Sequence, residues 1–183
     1  MVEKMLLELS SLEKCLGLKK TNKYSTQGDK AWFAFLQQVP VLQTNNGPSL
    51  MGLTTIAIHL VQEAQQNQLL GRTAEEKAIV QQWLEYRVTQ IDGHRGKDET
   101  RTILKDLNQY LEDKVYLAGD NFTLADILVY YGLHPIMTEL SVQEKEKYVN
   151  VSRWFNHIQH YPGIRQHLHP VVVLKNRLYT SGH

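Results

Sequence analysis

The sequence has little of what marks secreted or membrane-spanning proteins. It contains one cysteine, Cys15, so no disulfide can form within the chain, and a reducing compartment is expected. No uninterrupted apolar stretch approaches the ~20 residues that cross a bilayer. The apolar residues near the start are interrupted by Glu3, Lys4 and Glu8, which is not the pattern of a signal peptide. We therefore expect neither a secretory signal nor a membrane span.

The chain also lacks a dominant charge, internal repeats and low-complexity segments. Its formal net charge is +1, so it has no general attraction for phosphate backbones or anionic lipid surfaces. The small basic clusters at Lys19, Lys20 and Lys23, and at Lys175 and Arg177, hold fewer charges than phosphate-dominated binding enlists. We expect a cytoplasmic protein that also reaches the nucleus and makes no direct contact with nucleic acid or membrane.

Hydrophobic residues make up 42% of the 183 residues, enough for a folded core in one large domain or two small ones. The first part has the pattern of a small mixed α/β unit. Met5 to Leu9 is a short apolar run compatible with a strand, and Ser10 and Glu13 form a capping box for a brief helix that ends at Gly17. The polar residues from Lys19 to Lys30 predict a loop.

A β-hairpin and a helix complete this unit. Val39 to Leu42 predicts a strand, with Pro40 placed where no ladder donor is needed. The Asn45-Asn46-Gly47 sequence predicts the hairpin turn, and Pro48 to Met51 the return strand. From Leu53 to Ala64 the apolar residues recur at helical spacing.

Every later predicted element is helical. We predict an N-terminal domain at residues 1–66, a linker at 67–72, an all-helical domain at 73–170 and a tail at 171–183. Pro135 should kink its helix or end it near His134. Capping boxes begin three of the helices, at Thr73 and Glu76, at Thr123 and Asp126, and at Ser141 and Glu144.

The box at Thr123 and Asp126 is the most informative of these. The Thr123 hydroxyl can accept from the Asp126 amide, and the Asp126 carboxylate can accept from the Thr123 amide, which satisfies two of the four free donors at a helix start. The apolar residues that follow repeat at helical spacing and should face a core. We therefore predict that Thr123 and Asp126 are structural residues at the start of a central helix.

The order of these motifs resembles the glutathione transferase family: a Val-Pro-x-Leu strand, a hairpin, a helix, and a helical domain with a Thr-x-x-Asp box. The resemblance implies an α+β thioredoxin-like unit followed by an all-α domain, mostly helical overall. In that family the proline of Val-Pro-x-Leu is cis, so the resemblance implies a cis peptide bond at Pro40. The segments 81–86, 116–119 and 151–155 are similar to transferase-like appendages of translation proteins, in particular to auxiliary proteins of the animal multi-tRNA synthetase complex.

One segment departs from the resemblance. Ala31 to Gln38 has no counterpart in those translation proteins and lies where full transferases have their second strand and second helix. Its aromatic part, Ala31 to Leu36, is compatible with a buried strand or a helical turn, and its length does not decide between them.

The ligand clamp of the transferases is missing from the motif. Those enzymes hold the γ-glutamyl group with an acidic or amide residue followed by serine, and this position is Gly52-Leu53 here, which has no hydrogen-bonding side chain. The candidates for thiol activation are Ser10, Ser11 and Cys15, and without the clamp we expect none of them to be catalytic. We expect no cofactor, and no metal, because no cysteine or carboxylate completes a zinc spacing with the late histidines.

A transferase-like fold without its clamp retains surfaces that bind proteins. The family dimerises through the helix after the hairpin and the first helix of the second domain, here Leu53 to Gln65 and Thr73 to Ile91. The predicted contact residues on this surface are Met51, Leu53, Thr54, Ala57 and Ile58; the alternative is that half of them face the core, which helical geometry requires for some.

The residue before Trp-Phe on a later helix is typically an Arg that stacks across an interface in the synthetase-complex proteins, which implies partner binding by Arg153. The alternative for Arg153 is a solvent-exposed ion pair with Glu144 or Glu146.

The resemblance implies a non-catalytic scaffold of the multi-tRNA synthetase complex. The implied partners are the transferase-like domains of methionyl-tRNA synthetase and glutamyl-prolyl-tRNA synthetase. A nuclear role in the DNA damage response, through damage-signalling kinases and the p53 pathway, is implied as well. Two alternatives are an active glutathione-dependent transferase and a glue subunit of the elongation factor exchange complex.

Overall fold

The first unit packs a three-stranded sheet against two helices. The computed structural model describes residues 2–19, 23–26, 39–44, 47–93 and 96–173. The sheet is antiparallel in the order β1-β2-β3, with Tyr24 opposite Leu42 and Val41 opposite Met51. In chain order the elements are α1 (Val2–Cys15), β1 (Lys23–Thr26), β2 (Pro40–Gln43), β3 (Leu50–Met51) and α2 (Leu53–Glu63).

The remaining described elements are helical and surround one central helix, α5, whose residues from Leu124 to Leu133 are all buried. A segment without helix or strand, residues 160–173, then returns along α5 and α1, and we refer to it as the C-terminal strap. None of the described helices combines the length and apolar character that crossing a bilayer demands. The elements are a 3₁₀ turn (Asn67–Leu70), α3 (Ala74–Tyr86), a π turn (Arg87–Ile91), α4 (Lys97–Tyr110), α5 (Leu124–Glu139), α6 (Val142–Lys147) and α7 (Val149–Gln159).

The prediction of a strand at Met5 to Leu9 is wrong, because these residues belong to α1. Met5, Leu9, Leu12 and Leu16 are buried at intervals of three and four residues, so helical packing onto the core decides the conformation. The helix does end before Gly17, whose φ of 72° suits a glycine after a helix C-terminus. Part of the predicted loop at Lys19 to Lys30 forms β1.

Two expectations about prolines are corrected. The described residues contain no cis peptide bond, so the bond before Pro40 is trans, the isomer that X–Pro bonds favour. Pro40 opens β2, where its missing N–H breaks no ladder bond, and its carbonyl accepts from the Gly52 amide at 2.9 Å. Of the two effects predicted for Pro135, an end of the helix near His134 is wrong, since α5 continues to Glu139 and Ile136 and Met137 extend its buried face; the kink stays a prediction.

The structure confirms the predicted hairpin and the three helices predicted to begin at Thr73, Thr123 and Ser141, but the hydrogen bonds at Thr73 differ from a full capping box. At Thr73 the hydroxyl accepts from the Glu76 amide, but the Glu76 carboxylate binds the Arg72 amide at 2.7 Å rather than that of Thr73. Ala31 to Gln38 and the residues from Lys175 onward lie outside the described residues. The domain boundaries therefore stay predictions.

A fully buried arginine joins the two parts of the fold. Arg87, at the start of the π turn, donates through Nη2 to both carboxylate oxygens of Glu8 on α1, at 2.9 and 2.7 Å. Its Nε donates to the Leu128 carbonyl on α5 at 2.8 Å, and Nη1 donates to Asp92. Burial raises the pKa of Glu8, and the guanidinium opposes that rise. One side chain thus ties α1, the π turn and α5 together.

Gly132 on α5 leaves the space that this arginine occupies. A Cβ at this position would lie 2.0 Å from Arg87 Nε, so even alanine would displace the guanidinium. Glu8 lies 79 residues from Arg87 in sequence, and no local signal pairs the two.

Gly132→Ala should lower the free energy of unfolding by ~3–5 kcal/mol, because displacing Arg87 leaves two carboxylates without their buried partner. Gly96→Ala is the matched control: its added methyl meets nothing within 4 Å, and we expect a change within ~1 kcal/mol. Urea denaturation followed by circular dichroism measures both. Equal midpoints for the two variants would contradict the role given to Arg87.

Candidate functional site

The position of the transferase ligand clamp offers no side chain to a ligand. Gly52, at φ 91°, precedes α2, and no side chain caps the helix there. Leu53 is 3% exposed and packs into the core of the first unit. The free amides of the first turn remain, but nothing beside them selects a ligand by hydrogen bonding.

The candidate thiol-activating residues all lie on α1, where the Ser11 hydroxyl is hydrogen-bonded and burial disfavours ionisation of the Cys15 thiol. The Ser11 hydroxyl donates to the Leu7 carbonyl at 2.9 Å and lies 2.8 Å from His167 Nδ1. Cys15 is half-buried, and desolvation raises the pKa of its thiol, which disfavours the reactive thiolate. Ser10 lies within the same helix rather than at its start as the predicted cap.

The predicted contact residues around α2 divide into two groups. Met51 is 39% exposed, and Thr54 and Ile58 are half-buried, so these three can contact another protein; we refer to them as the α2 face. Leu53 and Ala57 are buried in the chain's own core, because α2 turns them toward α1 and the sheet. For these two residues the alternative that they face the core holds, and partner contact through the other three stays a prediction.

Arg153 on α7 is exposed and binds backbone carbonyls. Its Nη2 donates to the carbonyl oxygen of Leu111 at 2.6 Å and to that of Lys114 at 2.9 Å, where α4 ends. Glu144, offered as an ion-pair partner, instead accepts from the Ser141 amide and hydroxyl, both at 2.9 Å. Two carbonyls therefore hold the guanidinium of this exposed residue in place.

Helices α4 and α7 cap each other's ends next to this arginine. Asn108 on α4 accepts through Oδ1 from the amides of Asn150 and Val151, at 2.9 and 3.3 Å, in the first turn of α7. Asn150 Nδ2 returns a bond to the Asn108 carbonyl at 3.0 Å. The free donors of α7 and the free acceptors of α4 are thus paired across the contact, which fixes the helix that carries Arg153.

Exposed apolar and aromatic side chains surround Arg153. Val149 and His157 lie one turn to either side of it on α7, and Val149 is 56% exposed. Val115, which is 53% exposed, follows the Lys114 carbonyl, and the Tyr116 hydroxyl lies 3.0 Å from His157 Nε2. We refer to Val115, Tyr116, Val149, Arg153 and His157 as the Arg153 face. Sequence reasoning identified only Arg153; the four-residue spacing along α7 was the available signal for the others on that helix.

The buried carboxylate of Asp126 connects the elements that carry the Arg153 face. Asp126 Oδ2 accepts from the Thr123 amide at 3.0 Å and from its hydroxyl at 3.2 Å, within the predicted capping box. Its Oδ1 accepts from the Leu117 amide and from Trp154 Nε1, both at 2.9 Å. Asp126 therefore joins the start of α5, the turn after α4 and the residue next to Arg153, which is more than a helix cap does.

Burial dominates the ionisation of this carboxyl. Desolvation raises the pKa of Asp126 to about 6, and the hydrogen bonds from Leu117, Trp154 and Thr123 only partly oppose the rise. The group is thus mainly ionised at neutral pH and takes up a proton in mild acid.

A cavity between the π turn and α4 has no paired nucleophile and base. It holds about 460 Å³ between the π turn and α4, and its lining includes Tyr86, Asp98, Thr102 and Asp106. Carboxylates and hydroxyls line it without a paired nucleophile and base, and it lies away from the clamp position at Gly52. Among the described residues, no group of three or more metal-binding side chains converges.

The fold is that of a glutathione-transferase-like protein whose clamp position carries no ligand-binding side chain. The GST-like domain of elongation factor 1-gamma from Saccharomyces cerevisiae superposes with a TM-score of 0.67 at 18% identity, over 93% of this chain and 91% of that one. At that identity the likeness shows the fold alone, and it confirms the predicted fold class.

Sequence comparison identifies the family. A family model described as "Nuclear-export cofactor Arc1p" matches residues 76–162. The chain is 72% identical to human eukaryotic translation elongation factor 1 epsilon-1 over 176 residues, which cover 96% of this chain and 97% of that protein. The tRNA-aminoacylation cofactor arc1 of Schizosaccharomyces pombe is 29% identical over 130 residues, 70% of this chain and 26% of that protein. The chain belongs to the elongation factor 1 epsilon-1 family.

Asp126→Ala should lower the free energy of unfolding by ~3–5 kcal/mol, because it leaves buried donors on Thr123, Leu117 and Trp154 unsatisfied at ~1–3 kcal/mol each. Glu144→Ala is the matched control, since Glu144 holds the same position in an exposed capping box and should cost ~1 kcal/mol. Thermal and urea denaturation measure both. If both variants lowered the free energy of unfolding by a similar amount, Asp126 would act only as a helix cap.

Asp126 should also give stability an unusual pH dependence. Because the folded pKa lies above the usual value, the folded state binds the proton more tightly than the unfolded state between about pH 4 and 6. The stability advantage of the wild type over Asp126→Asn should therefore grow by ~1 kcal/mol from pH 7 to pH 5. Histidine titrations largely cancel in this difference, and an advantage that shrinks in acid would show that the hydrogen bonds outweigh desolvation.

Proposed function

We propose that this chain is a non-catalytic auxiliary subunit of the multi-tRNA synthetase complex that binds transferase-like domains of aminoacyl-tRNA synthetases. The relatives are named as a translation elongation factor subunit and a tRNA-aminoacylation cofactor, which places the role in translation and aminoacylation. The observation that carries the proposal is the Arg153 face, where two carbonyls hold a guanidinium at the surface between exposed valines. An anchored arginine beside apolar side chains is the composition of an interface hot spot.

Two separate faces suit a bridging subunit. The α2 face lies on the first unit, and the Arg153 face lies on α7 at the far end of the chain. A partner on each face would bury about 800 Å² of this chain in a standard interface. The proposed partners are the transferase-like domains of methionyl-tRNA synthetase and glutamyl-prolyl-tRNA synthetase.

The absence of catalysis is part of the proposal and rests on the clamp position. Leu53 is turned into the core, so glutathione bound there would leave its polar groups unpaired at ~1–3 kcal/mol each. The hydroxyl of Ser11 is engaged by Leu7 and His167, which leaves no free activating group in its place. These contacts favour a binding module over a glutathione-dependent transferase.

A second candidate is a glue subunit of the elongation factor exchange complex. The shared fold with the elongation factor 1-gamma domain favours it, because such domains can pair through equivalent helices. The same two faces would then bind other transferase-like domains. The identity of the co-purifying proteins distinguishes the two assemblies.

The proposed sites of action are the cytoplasm and the nucleus. The nuclear role would be in the DNA damage response, through damage-signalling kinases and the p53 pathway. It rests on the family resemblance alone, and fractionation of cells before and after DNA damage tests it: an unchanged nuclear amount would count against it.

Arg153→Ala should weaken binding of one transferase-like domain by ~10–100-fold, as expected for an arginine hot spot. Ile58→Glu should weaken binding of the partner at the α2 face, because a charge would be buried against an apolar surface. Isothermal titration calorimetry with the isolated domains of the two synthetases measures each affinity. Circular dichroism should show that Arg153→Ala costs only ~1 kcal/mol of stability.

Arg101→Ala is the matched control for Arg153, since Arg101 is an exposed arginine on α4 in an ion pair with Asp98. It should leave both affinities unchanged. Unaltered binding of both domains by Arg153→Ala would overturn the assignment of this face. In the same calorimeter, micromolar binding of glutathione would overturn the non-catalytic role.

A further inference from the structure

Helix α7 begins without a capping side chain of its own. Tyr148, the residue before its first turn, makes no side-chain bond to the amides of that turn. The Asn108 side chain on α4 takes this role, because its Oδ1 accepts from the Asn150 and Val151 amides at 2.9 and 3.3 Å. Since both amides are donors, they must face the oxygen of the Asn108 side chain. The start of α7 is therefore capped by a residue 42 positions before Asn150.

The contact between Arg153 and the end of α4 lies one turn beyond this cap. Asn108 and Leu111 are three residues apart, and so are their respective partners, Asn150 and Arg153. The contacts thus advance in the same direction along both segments, by about one helical turn. A displacement of the first turn of α7 relative to α4 therefore changes the distance between the guanidinium and its carbonyls.

The guanidinium contact requires both carbonyls at once. Nη2 of Arg153 carries two hydrogens, and it donates to the Leu111 carbonyl at 2.6 Å and to the Lys114 carbonyl at 2.9 Å. Both of its hydrogens are used, so the loss of either carbonyl frees the group to rotate. Within the part of the chain that the structure describes, Nε and Nη1 of Arg153 make no hydrogen bond. The directions of their three hydrogens follow from the position of Nη2.

Buried apolar side chains hold α7 in the fold without fixing its register against α4. Hydrophobic burial is favourable but non-directional, so it decides which side of the helix faces inward rather than its exact position along its axis. The indole of Trp154 makes a directional bond, but it goes to Asp126 at the start of α5. We therefore expect α7 to stay folded when Asn108 is replaced. The buried side chains of α7 include Val151, Trp154, Phe155 and Ile158.

We propose that Asn108 is a positioning residue for the Arg153 face. By capping α7 from α4, it holds the guanidinium of Arg153 against both carbonyls and so sets the affinity of this face for its partner. This inference rests on the proposed function, because the partner is a transferase-like domain bound at that face. The α2 face lies on the first unit, so its affinity should not depend on Asn108.

The first test follows the guanidinium of the free chain by nuclear magnetic resonance. The two Nη2 hydrogens of Arg153 should give separate signals, because each is bonded to a carbonyl and rotation about the Cζ–Nη2 bond is slow. Asn108→Ala should make these signals merge. Asn108→Asp keeps an acceptor oxygen for the first turn of α7 and should preserve them. Unchanged signals in Asn108→Ala would overturn the proposal.

Gln66→Ala is the matched control for Asn108→Ala. It also removes a side-chain amide that bonds a distant part of the chain, since Gln66 Nε2 donates to the Leu16 carbonyl at 3.2 Å. This bond lies at the linker and not at α4 or α7, so the signals of Arg153 should stay separate. Merged signals in this control would mean that any loss of a long-range bond frees the guanidinium, and would overturn the specific role of Asn108.

The second test measures affinities for the isolated transferase-like domains by calorimetry. Asn108→Ala should weaken binding at the Arg153 face by ~3–10-fold and leave the α2 face unchanged, and Asn108→Asp should restore the affinity. In a chain that already carries Arg153→Ala, adding Asn108→Ala should change the affinity by less than ~2-fold, because a positioning residue acts through the residue it positions.

Additive losses in the double variant would overturn the proposal, as would full affinity in Asn108→Ala. Circular dichroism of each variant checks that it is folded at the assay temperature. If the wild type bound neither domain, the proposed function would fail, while the guanidinium signals of the free chain would still decide whether Asn108 positions Arg153.

Discussion

The fold depends on a fully buried guanidinium that three separate elements share. Moving a charge out of water costs several kcal/mol, and that cost is offset only when its hydrogen-bonding groups find partners. Arg87 finds carboxylates on α1 and after the π turn, and a backbone carbonyl on α5. Because each contact comes from a different element, one side chain helps to fix the position of α1 relative to the helical part, together with the buried apolar face of α1. Gly132 provides the space, so two residues 45 positions apart form one structural unit.

Asp126 is a second buried charged group with partners on several elements, and one of these elements carries Arg153. Its carboxylate collects donors from the start of α5, from the turn after α4 and from Trp154 on α7. The neighbour of Trp154 is Arg153, which closes the end of α4 and faces solvent. A buried acid thus determines where an exposed base is presented. The clamp position at Gly52 and Leu53 and the Arg153 face therefore depend on different residues.

The sequence predicted most features that have a local signal. The structure confirms the capping boxes that begin α5 and α6, the hairpin and the helix after it, but the predicted box at Ser10 and Glu13 is wrong because Ser10 lies inside α1. The failures involve long-range packing. Met5 to Leu9 has the composition of a strand but packs as a helix, and α5 continues past Pro135 because its apolar face stays buried. Leu53 and Ala57 lie on α2, the helix predicted to bind a partner, but on the side that faces the core.

By itself, the sequence determined the class of fold, the family resemblance and several helix starts, because short motifs indicate each of them. It also showed that the clamp position, Gly52-Leu53, has no hydrogen-bonding side chain. Only the tertiary structure decided the partners of Arg87, the four donors on Asp126, the carbonyls that hold Arg153 and the histidine contacts of the strap. These pairs are mostly 9 to 156 residues apart in the chain. Neither propensity nor periodicity extends that far, and the choice among possible partners is made by packing, which brings buried donors and acceptors together because leaving them unpaired is costly.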